Sequence, residues 1–172
     1  MLDSRQNFVP ILTSEAGSSL TTLNWEEVNT TCAAYYLEPL LIKPGYEFLR
    51  TLSHMGHYLN WNGSLILNAS SFTANKEGVF TLISPFDGSK IKLDYAQLIK
   101  LINHLQPDVV VLPSKTLRDF PQIWTDWNAS ITPFISVDDV HMNTVSIPYG
   151  VYFVFEEKSS VSIEQLGRWS QV

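Results

Sequence analysis

An amphipathic helix that runs straight into a wholly apolar strand constrains this chain more than any other feature. Tyr95, Leu98, Ile99, Ile102 and Leu105 form one apolar stripe at helical spacing, Asp94 stands where an N-cap belongs, and Pro107 closes the segment. Asp108-Val109-Val110-Val111-Leu112 follows directly, a continuous apolar run of the kind buried on both faces in parallel sheets. A helix feeding such a strand is one half of a crossover unit, and an isolated sandwich or helical bundle has no use for it. Strand and helix alternate at least three times through Leu112, which predicts an α/β arrangement with right-handed crossovers.

The remaining segments agree with that reading. Phe8 to Leu12 is a short apolar first strand, and Thr22 or Asn24 caps a short helix whose first turn holds Glu26 and Glu27. Ala33 to Ile42 reads as a second strand. Pro44 suits a first helical position, with Tyr46, Leu49, Leu52 and His54 following at helical spacing and Gly56 as the stop. Leu65 to Leu67 is a short buried strand, followed by a turn from Asn68 to Phe72. Gly78 to Ile83 and Lys90 to Leu93 flank Asp87-Gly88 as a hairpin-like excursion. The last third changes character: Ile131 to Val137 and Val145 to Phe155 read as strands, and Ser162 caps a short helix ending near Trp169. With no charged or glycine-rich linker, residues 1–172 are expected to form a single domain, divided into βα units over 1–112 and a divergent C-terminal part over 113–172.

The composition narrows the function classes. The formal charge is −6, and the 11 basic residues never adjoin one another, so the sequence holds no ready patch for phosphate backbones and nucleic-acid binding is disfavoured. Only 16% of residues are charged, a low share that points to a surface partly covered by another protein. Cys32 is the only cysteine, which excludes an internal disulfide and a cysteine-rich zinc site. Neither a secretory start nor an apolar run long enough for a bilayer is visible, so a cytoplasmic location is expected.

Several pieces in register carry a resemblance. They are Phe8-Val9-Pro10-Ile11-Leu12, Lys43-Pro44-Gly45, Tyr58 to Trp61, Asn68-Ala69-Ser70-Ser71-Phe72, Glu77-Gly78-Val79-Phe80, Ser84-Pro85-Phe86-Asp87-Gly88-Ser89 and the Asp94 helix with its strand. Their order resembles the N-terminal half of the tRNA-guanine transglycosylases, which exchange a guanine base in tRNA. The resemblance covers about two thirds of the chain and implies part of a (β/α) barrel, with an extra β-rich segment at the C-terminal end. It also implies that the open barrel edge is capped by the C-terminal strands or by a partner. That family's catalytic turn reads Asp-Ser-Gly-Gly-Phe, and its aspartate corresponds to Asn68 here. An amide neither accepts a proton nor carries the charge that base exchange draws on. The family's base-reading aspartate falls on Ser114, and its nucleophile and zinc ligands lie in a second half of the barrel that this chain is too short to supply, since a full barrel takes about 200 residues or more.

Other candidate chemistry is thin. Asp138-Asp139-Val140-His141 has ligand-type side chains, but adjacent acids after a strand read more simply as a turn and a cap. His54 and His57 fit a helix end, and Cys32 a buried, inert position. No phosphate-binding loop, dinucleotide fingerprint or nucleophile elbow occurs. The expectation is therefore a non-enzymatic protein with no cofactor and no metal, acting as a structural or adaptor subunit of a larger protein complex. The alternative is a nucleobase- or tRNA-binding module, the non-catalytic partner of an active transglycosylase. Its degenerate base pocket would be formed by Tyr35, Asn68, Ser70, Phe72 and Ser114.

Overall fold

A computed structural model describes residues 9–142 and 147–154. Five strands, β1 (Cys32–Tyr36), β2 (Ser64–Asn68), β5 (Val109–Val111), β6 (Thr132–Ser136) and β7 (Gly150–Tyr152), form one sheet in chain order, and every pairing is parallel. The hairpin of β3 (Val79–Ile83) and β4 (Lys90–Asp94) stands apart as a separate antiparallel pair. Before β1, the N-terminal segment runs parallel to it: Leu12 N–H donates to Ala34 O at 2.8 Å, and Ala34 N–H to Pro10 O at 2.9 Å. Each new strand thus adds on the same side of the last, the progression that consecutive right-handed crossovers produce. Among the described residues β1 and β7 do not pair with each other, so the sheet is open between them.

The sequence accounts for the best helix in detail. In α5 (Tyr95–Leu105), the Asp94 carboxylate accepts from Gln97 N–H at 2.7 Å and the Gln97 side chain accepts from Asp94 N–H at 3.0 Å, closing a capping box. Gln106 ends the helix in the left-handed region at φ 51°. The predicted stripe of Tyr95, Leu98, Ile99, Ile102 and Leu105 is buried throughout. It shares one core with Ala33, Leu65, Leu67, Val110 and Ile135, positions that the strand register places on one face of the sheet. The opposite face carries Ile66, Asn68, Val111, Phe134 and Tyr152, all half-buried.

Differences from the sequence reading are local. The strand predicted over Ala33 to Ile42 stops at Tyr36, and α2 (Leu37–Leu40) takes over. Pro44 is not the first helical residue: α3 (Tyr46–Leu49) begins only after Gly45, whose φ of 105° suits glycine. Gly56 is not a stop but sits inside α4 (Met55–Leu59), where its N–H donates to His54 Nδ1 at 3.0 Å. A Cβ there would lie 3.1 Å from the His54 ring, so the glycine permits the cap, and Asn60 at φ 50° ends the helix instead. In α1 (Thr22–Glu27) the cap is Thr21, one residue earlier than predicted, with Asn24 closing the box. The C-terminal strands β6 and β7 pair in parallel beyond β5 and so extend the sheet. Phe8, the outer parts of the Val145 to Phe155 strand and the Ser162 helix lie outside the described residues.

Candidate functional site

In parallel α/β sheets the loops at the carboxyl ends of the strands are where ligands and chemistry gather. Here that edge is built from three turns: Asn68 to Phe72 after β2, Pro113 to Lys115 after β5, and the 3-10 turn Val137–Met142 after β6.

The first turn is held by its own backbone and by Asn68. Asn68 Oδ1 accepts from Ser70 N–H at 2.9 Å, Ala69 N–H donates to Val111 O at 2.9 Å, and Phe72 N–H donates to Ala69 O at 3.1 Å. The Asn68 carbonyl oxygen is thus engaged within its own turn, while Ser70 is half-buried beside it. Phe72 points inward instead. It is buried, its ring lies 5.7 Å from Phe80, Phe80 lies 4.8 Å edge-on to Tyr95, and Tyr95 stacks on Phe120 at 5.7 Å. This row of rings ties the turn to the hairpin, to α5 and to α6 (Thr116–Asp119). Tyr35 is also a core residue; burial pushes its phenol up to about 12. Of the five sequence-predicted site residues, Asn68 and Ser70 are together at the sheet edge, Tyr35 and Phe72 are packed beneath it, and Ser114 stands exposed on the neighbouring turn.

Ser114 borders an open cleft of about 530 Å³, shared with Thr73, Lys76, Tyr95, Arg118 and Asp119 among others. Lys115, also on its rim, adopts φ 66°, and Thr116 Oγ1 donates to Pro113 O at 2.7 Å, which stiffens this turn. The Tyr95 hydroxyl donates to Asp119 Oδ2 at 3.3 Å, and Arg118 Nε donates to Asp119 Oδ1 at 2.7 Å. The Arg118 bond is the main reason the Asp119 carboxyl lies below its ordinary range. Burial, followed by the charge of Asp119, pushes the Tyr95 phenol up to about 12. The cleft is therefore polar, with three cations (Lys76, Lys115, Arg118) against Glu77 and Asp119.

Sequence reasoning passed over this cluster because Tyr95 and Asp119 are far apart in the chain and neither sits in a recognisable motif. It also treated Asp139 as a turn residue. The residue is on a turn, but its side chain is only 2% exposed and its Oδ2 has no hydrogen-bond partner. Burial raises its pKa above the usual carboxylate value; the nearby Lys115 backbone opposes the shift, and Asp138 and Asp119 add to it. Tyr152 reaches across from β7 to donate to Leu112 O at 2.7 Å, and its phenol is pushed up to about 12 by burial and then by Asp139. No group of three or more His, Cys, Asp or Glu side chains among the described residues is placed to hold a metal ion.

The fold and this edge define a parallel α/β protein whose strands succeed one another in sequence order. No protein-family model matches the chain. It is 24% identical over 126 residues to a queuine tRNA-ribosyltransferase of Blochmanniella pennsylvanica (strain BPEN), an alignment that covers 68% of this chain and 34% of that enzyme. The similarity is distant and partial, and the chain spans about a third of the length of the curated relative it matches. It establishes a distant relation to the tRNA-guanine transglycosylases. Among the described residues no helix is long and apolar enough to cross a membrane.

Proposed function

We propose that this chain is a non-catalytic relative of the transglycosylases that serves as a structural or adaptor subunit of a larger protein assembly. The observation that carries the reading is Asn68. It stands at the carboxyl end of β2, where the resemblance calls for a catalytic aspartate, and its oxygen is engaged by Ser70 N–H at 2.9 Å. A neutral amide in that bond supplies neither a base nor a charge for base exchange. Ser114, in the place of the base-reading acid, is likewise uncharged. The one-directional order of parallel strands fits a portion of a (β/α) barrel, and the outer strand β7 is flanked by exposed Val154 and partly exposed Tyr149 and Phe153, a side suited to a protein neighbour. Phe86 at 76% exposure and Ile83 at 61%, on the hairpin, add a second apolar surface.

Two measurements test this. Native mass spectrometry of the tagged chain recovered from its source should show a stoichiometric protein partner; a lone monomer sinks the adaptor role. Labelled guanine should not enter tRNA with the purified chain or with Asn68→Asp, and incorporation by the unaltered chain sinks the non-catalytic reading. The cleft beside Ser114, with Lys76, Lys115 and Arg118 on its rim, favours a second reading, a module that binds a nucleobase or tRNA. Calorimetric titration with purine bases and with tRNA separates the two, because an adaptor alone releases no heat with either.

A further inference from the structure

Asp139 is the one carboxylate of the described residues that is buried and has an oxygen without a hydrogen-bond partner. It occupies the joint between the Val137–Met142 turn and the Lys115–Asp119 segment. On that turn Asp138 N–H donates back to Ser136 Oγ at 3.4 Å. The groups facing it come from four elements. Asp138 and His141 lie on its own turn; Lys115, Arg118 and Asp119 lie on the α6 side; Tyr95 comes from α5 and Tyr152 from β7. Asp119 accepts from Arg118 Nε at 2.7 Å, so that guanidinium is already engaged by another acid.

We propose that Asp139 is a proton-operated latch, closing the Val137–Met142 turn onto α6 when protonated and loosening the Ser114–Lys115 lip of the cleft when ionised. This goes beyond the proposed function and does not rest on it, because the latch would act whether the cleft is empty or serves a ligand. A neutral Asp139 carries an O–H that can donate to a neighbouring oxygen. The ionised group holds a full charge where water is excluded and two further carboxylates are near, and opening the joint relieves it.

The sign follows from burial. A carboxyl whose pKa is higher in the fold than in the open state favours the closed joint fully below its ordinary value of 3.8 and loses that contribution as pH rises through the folded value. The Lys115 backbone opposes this, since its N–H dipole favours the ionised form, but burial is the larger effect.

The test uses the full chain. Amide exchange of Lys115–Asp119 and Val137–His141 is followed from about pH 4 to about pH 8, after correction for intrinsic rates, in the wild type, Asp139→Asn and Asp138→Asn. Each unit by which the pKa is raised corresponds to about tenfold in the opening equilibrium. The wild type and Asp138→Asn should open progressively as pH rises, whereas Asp139→Asn should show no such slope. Equal pH profiles in all three overturn the latch. Should Asp139→Asn fail to fold, the carbonyl-carbon NMR titration of Asp139 in the wild type decides. A midpoint at or below its ordinary value overturns the proposal, and one above it, tracking the exchange of Lys115, supports it.

Discussion

Replacing Asp108 with alanine should weaken the joint between β2 and β5, and the size of the loss can be worked out from one hydrogen bond. The register of that pair starts at Ile66 and Val109, one residue after Leu65. At Leu65, which is 2% exposed, the N–H donates to Asp108 Oδ2 at 2.8 Å, so a carboxylate does the work of a strand carbonyl. A hydrogen bond to a charged acceptor contributes about 1.5–3 kcal/mol, and an abandoned buried donor costs about 1–3 kcal/mol. Asp108 is itself exposed, so water can reach the freed N–H; this places the expected loss near the lower end, about 1–2 kcal/mol. Urea unfolding followed by tryptophan fluorescence, with a slope of about 2 kcal/mol per M, should show a midpoint lower by roughly 0.5–1 M. Asp108→Asn keeps an acceptor and should lose about half as much. If both variants unfold within about 0.3 kcal/mol of the wild type, the carboxylate is not a strand partner and the reasoning fails.

Ile102→Ala, at a fully buried position under the sheet, should cost about 2–5 kcal/mol by cavity formation, visible as a lowered thermal midpoint. Asp94→Ala removes the acceptor at the start of α5 and should cost about 0.5–2 kcal/mol, with Asp94→Asn largely restoring it in the same unfolding assay. The Cys32 thiol, 1% exposed and pushed up from its ordinary value by burial and then by the charge of Asp108, should resist alkylation at neutral pH until the protein unfolds. Rapid labelling of the native chain would contradict its placement in β1.

The α/β class was legible because periodicity is a local signal. The stripe from Tyr95 to Leu105, the cap at Asp94 and the run Val109 to Val111 each announce their state within a few residues, and all three hold. The buried strand at Leu65 to Leu67 and the hairpin around Asp87-Gly88 were visible for the same reason. The segment from Ala33 to Asn60 was misread because short helices joined by irregular turns have no repeat long enough to show. Gly56 looks like a terminator in sequence, yet its lack of a Cβ serves the His54 cap. At the candidate site, the engagement of Asn68 with Ser70 follows a familiar short-range habit of asparagine, whereas the inward placement of Tyr35 and Phe72 does not.

The sequence alone determined the α/β class, the buried strands at Leu65 to Leu67 and Val109 to Val111, and where the strongest helix starts and ends. Those are decisions made by neighbours along the chain, through capping, spacing and the identity of single side chains. Only the tertiary structure decided that β6 and β7 continue the parallel sheet, that Asp108 serves Leu65 across 43 residues, and that Tyr95 and Asp119 meet at one cleft. Burial and charge proximity depend on which distant segments are brought together, and no local pattern in the chain encodes that juxtaposition.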